Sequence, residues 1–462
     1  MLKDIAEAML DRRPFDLVIR NVQIVNVFSA SIVSGSIGIV NGHIAGVYGP
    51  EAALDSRRSI DGGNAYALPG FVDSHMHLES SMLTPEHFAQ VALSCGTTTV
   101  CADPHEIANV LGIEGVRGLA DACRSLPLRV LLTAPSTIPS APGLEDSGFD
   151  VGPAEMEALL DIPGVAGLGE VMDFNAVAAG DPRMLSVIEA AASRGVFLDG
   201  HVSALTGRRL QIFRAMGIDS DHTTPSAEKL REELALGFTV QVQECMLNRE
   251  IVQAMNAAPV QDRICLVTDD VPLPRLMRQG HLNFVVERAI ELGLDPIRAI
   301  RYATINPAVR LRLYHTGGIA PGMEADIHFI RIHLTPRDRW ANAPLRDLGL
   351  PEGVIIAAVQ RGRDIIVPRG DVVLLPGDNL VLGAGVYEDD VRIQLKEIVL
   401  QTHHPWVGHP LRDLDISRQT VIIMVRRRNR TLIPNGGLKL LAGDKVFLYT
   451  QSHLPHAQDI QI

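Results

Sequence analysis

The chain has 462 residues, 46% of them hydrophobic, which is length for roughly two to four domains and enough apolar material for a large core. A formal net charge of −12 excludes the basic surface that a nucleic-acid backbone or an anionic membrane requires, and leaves small neutral or cationic ligands as partners. Five cysteines, Cys95, Cys101, Cys123, Cys245 and Cys265, stand without CxxC pairing, which argues against a thiolate zinc site or a disulfide framework and for reduced thiols in a cytoplasm.

The amino terminus, MLKDIAEAMLDRRPFD, reads as a short amphipathic helix without the apolar stretch of a secretory signal. No run elsewhere is long enough to span a bilayer. Residues 16–48 alternate in the strand manner, and Asn41-Gly42 between two apolar runs signals a hairpin, because both residues tolerate the positive φ of a tight turn. This small β unit precedes the stretch LPGFVDSHMHLESSMLTP, residues 68–85. There a Pro-Gly turn delivers a strand ending in His75 and His77. Alternate strand residues share a face, so both imidazoles can reach one metal ion.

From residue 66 to 310, short apolar strands alternate with helical segments. The strand candidates are ALPGFVDSH, TTTVCADP, LRVLLTAP, VAGLGEVMD, VFLDGHV, GIDSDHT, FTVQVQE and ICLVTDD. Eight such pairs predict an α/β fold, a (β/α)8 TIM-type barrel of roughly 250 residues, whose active site lies at the C-terminal strand ends. Those ends carry His75 and His77 (first), Asp103, His105 and Glu106 (second), Glu170 and Asp173 (fourth), His201 (fifth), Asp221 and His222 (sixth), and Asp269 and Asp270 (eighth). One such residue is more often a helix cap. Six converging strand ends are too many for capping. Imidazoles with carboxylates suit zinc, manganese or iron better than calcium. Glu170 could bridge two ions that generate hydroxide at neutral pH, with Asp269 moving protons, for attack on a carbonyl-like or amidine-like carbon.

The HxH of the first strand, the histidines of strands five and six and the aspartate of strand eight resemble the amidohydrolase superfamily. Within it, FVDSHMHLESSMLTPEHF, GTTTVCADPHEIANVLG, GLGEVMDF, LDGH, LVTDD and GHLNFVVERAIELGLDPIRAIRYATINPA are similar to the adenine deaminase family over residues 16–330. The resemblance implies deamination of adenine to hypoxanthine with release of ammonia. It also implies two divalent ions, manganese or iron as the usual candidates and zinc as a third. Carried over, His75 and His77 bind the first metal, Glu170 bridges, His201 and His222 bind the second, and Asp269 is ligand and proton shuttle. Glu79, His105, Glu106 and Glu244 fall in matching motifs near the site. For these a direct role and a supporting role stay open. Asp173 and Asp270 read as caps or hydrogen-bond acceptors.

Two departures bear on substrate. Where the family shows an Arg-Glu-Gly run, this chain has Gln243-Glu244-Cys245, and the strand-eight aspartates continue into Val271-Pro272 and later Gly280-His281-Leu282-Asn283. Pocket changes of this kind redirect specificity without altering metal chemistry. Another aminopurine, a cyclic amide or an N-acyl compound therefore stands beside adenine. A ligand-sensing protein with a non-catalytic barrel is the alternative from another class.

GGIAPGMEADIHFI, residues 317–330, returns to the small β unit, which is expected to be sandwich-like and built from both segments flanking the barrel. Beyond it lies an internal repeat. Trp340 and Trp406, Pro344 and Pro410, Pro368 and Pro434, and Asp378 and Asp444 all stand 66 residues apart. A fixed period with matched turn residues indicates two copies of one unit. Each reads as a PLRDL helix entry followed by apolar strands, an α+β module that resembles the TrkA C-terminal family, in which the module dimerises and often binds a small ligand. The expected divisions are 1–65 with 311–330, 66–310, 331–394 and 395–462. A homo-oligomer is expected, and a regulatory ligand on the repeats stays open. The run Arg426-Arg427-Arg428 reads either as an anion site or as a solvated face.

Overall fold

The computed structural model describes residues 1–329 apart from 141–142, 204 and 225. Beyond these it describes 332–333, 342–344, 354–361, 364–366, 372–376, 378–384, 392–401, 404, 406–409, 420–427, 430–432 and 438–452. The chain divides into two compact units, Met1–Gly383 and Ala384–Ile462.

In the first unit, β1 (Leu17–Asn26), β2 (Ser31–Val40), β3 (His43–Tyr48), β4 (Ser59–Asp61) and β5 (Tyr66–Pro69) form one sheet. The β2–β3 hairpin turns at Asn41 and Gly42, both at positive φ as their sequence requires. The sheet is completed from beyond the barrel, where the strand Ile327–Phe329 runs antiparallel to β5. The amino-terminal helix Leu2–Met9 buries Ala8 against Phe15, Val18, Val40 and Ala45.

The barrel strands are β6 (Phe71–His77), β7 (Thr97–Ala102), β8 (Arg129–Ala134), β9 (Val165–Val171), β10 (Phe197–Gly200), β11 (Ser220–Asp221), β12 (Thr239–Val242), β13 (Ile264–Leu266) and β14 (Asp269–Asp270). They pair in parallel as β10-β9-β8-β7-β6-β14 and β11-β12-β13. The eighth expected strand is split, and its outer piece β14 lies against β6, with Asp269 opposite Met76 and Asp270 opposite His77. On the other side Asp219 N donates to Leu198 O (3.3 Å), joining β11 to β10. All seven residues of β6 are buried, as a parallel strand covered on both faces demands. The helix Pro182–Ser193 shows the outer layer's logic. Asp181 caps it by accepting from Met184 N (2.9 Å), and Met184, Val187, Ile188 and Ala191 turn one stripe inward.

Between β6 and the end of β13 lies a buried polar cluster of Asp73, Thr97, Thr268 and His281. Thr268 Oγ1 donates to Asp73 Oδ2 (2.6 Å), while His281 sits 3.0 Å from Thr97 Oγ1 and 3.7 Å from Asp73. Burial pushes His281 down to about 3; it also pushes Asp73 up to about 7, against the hydrogen bonds from Thr268 and His75 N. The slopes oppose each other. Below pH ~6.5 the unfolded histidine binds a proton that the folded one refuses, which costs stability on acidification. Below pH ~7 the folded aspartic acid holds a proton that the unfolded one lacks, which adds stability until the unfolded carboxylate protonates near pH ~4. The two nearly cancel between those limits. Asp73→Asn is expected to expose the histidine's slope, a loss of about 1.4 kcal/mol per pH unit below 6.5. Urea melts of the metal-free protein at pH 5 and 7 check it, and an unchanged difference between the two would refute it.

The repeats carry the same sheet twice. In one copy the strand order is Ile332–His333, Asn379–Ala384, Val354–Arg361, Asp364–Ile366; in the other it is Arg392–Val399, Lys445–Ser452, Thr420–Arg427, Arg430–Leu432. An identical knot ties each. Arg361 grips Asp378 through two bonds (2.7 and 2.8 Å) and donates to Val373 O (2.7 Å). Arg427 grips Asp444 (2.8 and 2.8 Å) and donates to Lys439 O (2.7 Å). Arg427 is thus committed to its own module rather than to an anion, and Arg428 lies outside the described residues, as do residues 345–348 and 410–414 of the PLRDL entries and the Pro-x-Gly turns. Arg427→Ala strands the buried Asp444 carboxylate and is expected to cost the module about 1–3 kcal/mol. Trp406, packed beside Leu400, Val425, Leu440 and Val446, gives the fluorescence signal for that measurement.

Candidate metal centre

The strand ends meet at one point. β6 places His75 and His77 on one face, with ring centroids 5.2 Å apart. His75 Nδ1 lies 2.7 Å from Asp199 Oδ2, and His77 Nδ1 lies 3.0 Å from the carbonyl of Asp103. Both acceptors require the hydrogen on Nδ1, so each Nε2 lone pair points inward. It meets carboxylates there: His77 Nε2 is 3.4 Å from Glu170 Oε1 and 3.2 Å from Asp269 Oδ1, and His75 Nε2 is 3.7 Å from Asp269 Oδ1. His75 Nε2 is buried and has no hydrogen-bond partner. Lone pairs facing carboxylates repel unless a cation lies between them, so this donor set fits a metal.

Glu170 stands in the middle. Its other oxygen, Oε2, is 2.7 Å from His201 Nδ1 and 3.2 Å from His222 Nε2. Its backbone is fixed by Asp103 Oδ2, which accepts from Glu170 N (2.8 Å), and by Ser136 Oγ, which donates to Glu170 O (2.6 Å). Gly169 permits this approach, since a Cβ there would come 2.3 Å from Asp103 Oδ2. The ligand atoms of His75, His77 and Glu170, of Glu170, His201 and His222, and of His75, His222 and Asp269 each lie within 4.8 Å of one another. One carboxylate therefore faces two histidine sets, one through each oxygen.

The charges are mutually adjusted. When protons occupy the imidazoles in place of metal, burial raises Asp269, but the hydrogen bond from His77 and the charges of His75 and His222 hold it down to about 2. Burial alone lowers His222, but Glu170 and Asp269 lift it to about 9. The cage thus keeps its carboxylates ionised and its imidazoles hungry for positive charge, which protons or divalent ions can satisfy.

Of the remaining predicted residues, His105 enters the rim, its Nδ1 3.5 Å from Glu170 Oε1 and its ring 4.6 Å from that of His77. Its Nε2 lies 3.8 Å from Glu106 Oε2. Glu79 accepts from Ile107 N (3.4 Å) and is pushed up to about 7 by burial and by the charge of Glu106. Glu244 is paired with Arg275, whose Nη2 donates to it at 3.0 Å. Gln243 instead donates to His222 O (2.9 Å) and so backs that ligand. Asp173 caps the helix Phe174–Ala179, and Asp270 accepts from Ser80 Oγ. Asp199 and Lys229 are contributors that sequence reasoning missed. The DxH alternation of Asp199, on β10, and His201, just past its end, was the available signal for the first; Lys229 gave none.

A family model, Amidohydrolase family, matches residues 66–357, and a TrkA-C domain model matches residues 395–457. Among curated relatives, an adenine deaminase of Klebsiella pneumoniae (strain 342) is 42% identical over 326 residues, 70% of this chain and 54% of its own. An adenine deaminase of Nitratidesulfovibrio vulgaris (strain DP4) is 40% identical over 328 residues, 71% and 56% respectively. The chain thus spans about half the length of the curated relatives it matches. Among solved structures, an enamidase superposes with a TM-score of 0.52 at 17% identity, covering 79% of this chain and 99% of that one. A molinate hydrolase gives 0.52 at 18%, covering 68% and 89%. At such identities the likeness is one of fold.

Proposed function

The chain belongs to the amidohydrolase family, and from that membership we propose that it is a binuclear-metal hydrolytic deaminase acting on adenine, giving hypoxanthine and ammonia. Glu170, with one oxygen toward His77 and the other toward His201 and His222, is the observation that carries the reading. In it His75, His77 and Asp269 would hold one ion and His201 and His222 the other, with Glu170 offering one oxygen to each set. Two divalent ions, manganese or iron first and zinc as a third choice, supply Lewis acidity and make hydroxide available near neutral pH.

The protein's own groups do the rest. Asp269, ionised and only 17% exposed, takes the proton lost when water adds to the amino-bearing ring carbon and returns it to the departing amine. The C–N bond breaks and ammonia leaves; the second proton of the added water passes from the oxygen to the adjacent ring nitrogen as the carbon becomes the carbonyl of hypoxanthine. His105, Glu79 and Glu106 line the rim and orient the ring through its nitrogens. Manganese-loaded protein mixed with adenine and followed by ultraviolet absorbance tests this, and absence of hypoxanthine and ammonia overturns it.

The engagement of Glu244 by Arg275 supports a second reading, a related aminopurine or cyclic amide in place of adenine. A substrate panel separates the two. The match to a TrkA-C domain supports a homo-oligomer, tested by light scattering. Among the described residues no helix is long and apolar enough to cross a membrane.

A further inference from the structure

His201 and His222 leave the barrel on different loops, yet the residues on either side of them are knotted together beneath the cage. Lys229, on the helix Ala227–Ala235, is 2% exposed; Asp221 and Glu233 are fully buried. Lys229 Nζ meets Asp221 Oδ2 (2.7 Å), Glu233 Oε1 (3.2 Å) and Thr223 O (3.3 Å), and it donates to Ser203 O. Asp221 Oδ1 accepts from Val202 N (2.9 Å), Thr223 N (3.1 Å) and Thr223 Oγ1 (2.6 Å), while Thr223 Oγ1 accepts from Ser203 N (2.7 Å). Glu233 is held in turn by Thr224 Oγ1 (2.8 Å).

The knot therefore grips Val202 and Ser203, just after one histidine, and Asp221 and Thr223, on both sides of the other. Ser203 has a φ of +52°, a backbone state that a non-glycine residue leaves unless its surroundings hold it. Its N–H and its carbonyl both end in the knot. A buried lysine with two carboxylates is a poor device for stability alone, since apolar replacements often serve as well. It is a good device for fixing two loops at one separation.

We infer that Lys229, with Asp221 and Glu233, is a positioning clamp that sets the spacing of His201 and His222 and thereby the affinity for the ion these two histidines share. This rests on the binuclear reading above. The test titrates metal-free full-length protein with manganese, counts bound ions by elemental analysis after gel filtration, and compares wild type with Lys229→Met. Expected are two ions in wild type, and in the variant one ion bound as before with the second weakened about 10- to 100-fold. Excess manganese is expected to restore its turnover. Equal affinity for both ions overturns the clamp, as does equal weakening of both together with a lowered metal-free melting temperature, the mark of a merely structural role. If Lys229→Met fails to fold, Thr223→Val, which removes only the hydroxyl between Ser203 and Asp221, carries the same expectation. Fewer than two ions in wild type overturns the binuclear reading itself, and the clamp with it.

Discussion

Glu170→Gln is expected to leave the barrel folded, to cut bound metal from two ions to one or none, and to lower turnover by about 10³-fold or more. The amide matches the carboxylate in shape but carries no charge, and it replaces one acceptor oxygen with a donor. Both histidine sets lose their shared anion, and whichever way the amide turns one of them faces an N–H donor: Oε1 faces His77 and Oε2 faces His201 and His222. Losing several kcal/mol of charge stabilisation at the reacting centre corresponds to that fold-change. The metal-free fold should tolerate the change. Glu170 is 3% exposed, so removing its charge also removes a desolvation cost, which offsets the lost acceptor for His201 and His222. Elemental analysis and a metal-free melting curve together decide the matter, and two ions retained at wild-type affinity would refute the bridging assignment.

Why the cage was legible in sequence, and its support was not, follows from range. His75 and His77 are fixed by strand period alone, and Glu170, His201, His222 and Asp269 stand at positions that a parallel barrel gathers at one end. That argument needs only local pattern plus one topological rule. Asp199 holds His75 from 124 residues away, a pairing no local pattern announces. Lys229 sits in AEKLREELA, which reads as a solvated charged face; the helix turns it inward because Asp221 and Glu233 wait there. Glu244 entered through a motif match after strand seven; its partner Arg275, 31 residues on, is another pairing that no local pattern announces.

The repeats show a complementary case. A constant offset revealed two copies without saying what the shared residues do. The paired Arg361–Asp378 and Arg427–Asp444 knots give the reason: each fork closes a turn by bonding a backbone carbonyl and shielding an acceptor of the Leu375 or Leu441 N–H. Drift at either end would strand a buried carboxylate, so the pairs persist together.

Asp269→Asn is expected to lower kcat by about 10²- to 10⁴-fold with KM little changed, the span that general acid–base catalysis contributes. The choice of asparagine matters, because Asp269 has a φ of +57°, and asparagine is among the few side chains that tolerate the left-handed region. Alanine there would combine a chemical loss with backbone strain, and the two could not be separated. Pairing of β14 with β6, Asp269 opposite Met76, keeps that backbone state in place and aims the carboxylate at His77 and His75. The amide oxygen can still face His77 Nε2, so the first ion is expected to stay, bound more weakly by the loss of one charge. What the amide cannot do is accept and return a proton. A variant that keeps its metal and fold but loses turnover places Asp269 in proton transfer, whereas one that regains full turnover at high manganese restricts it to ligation.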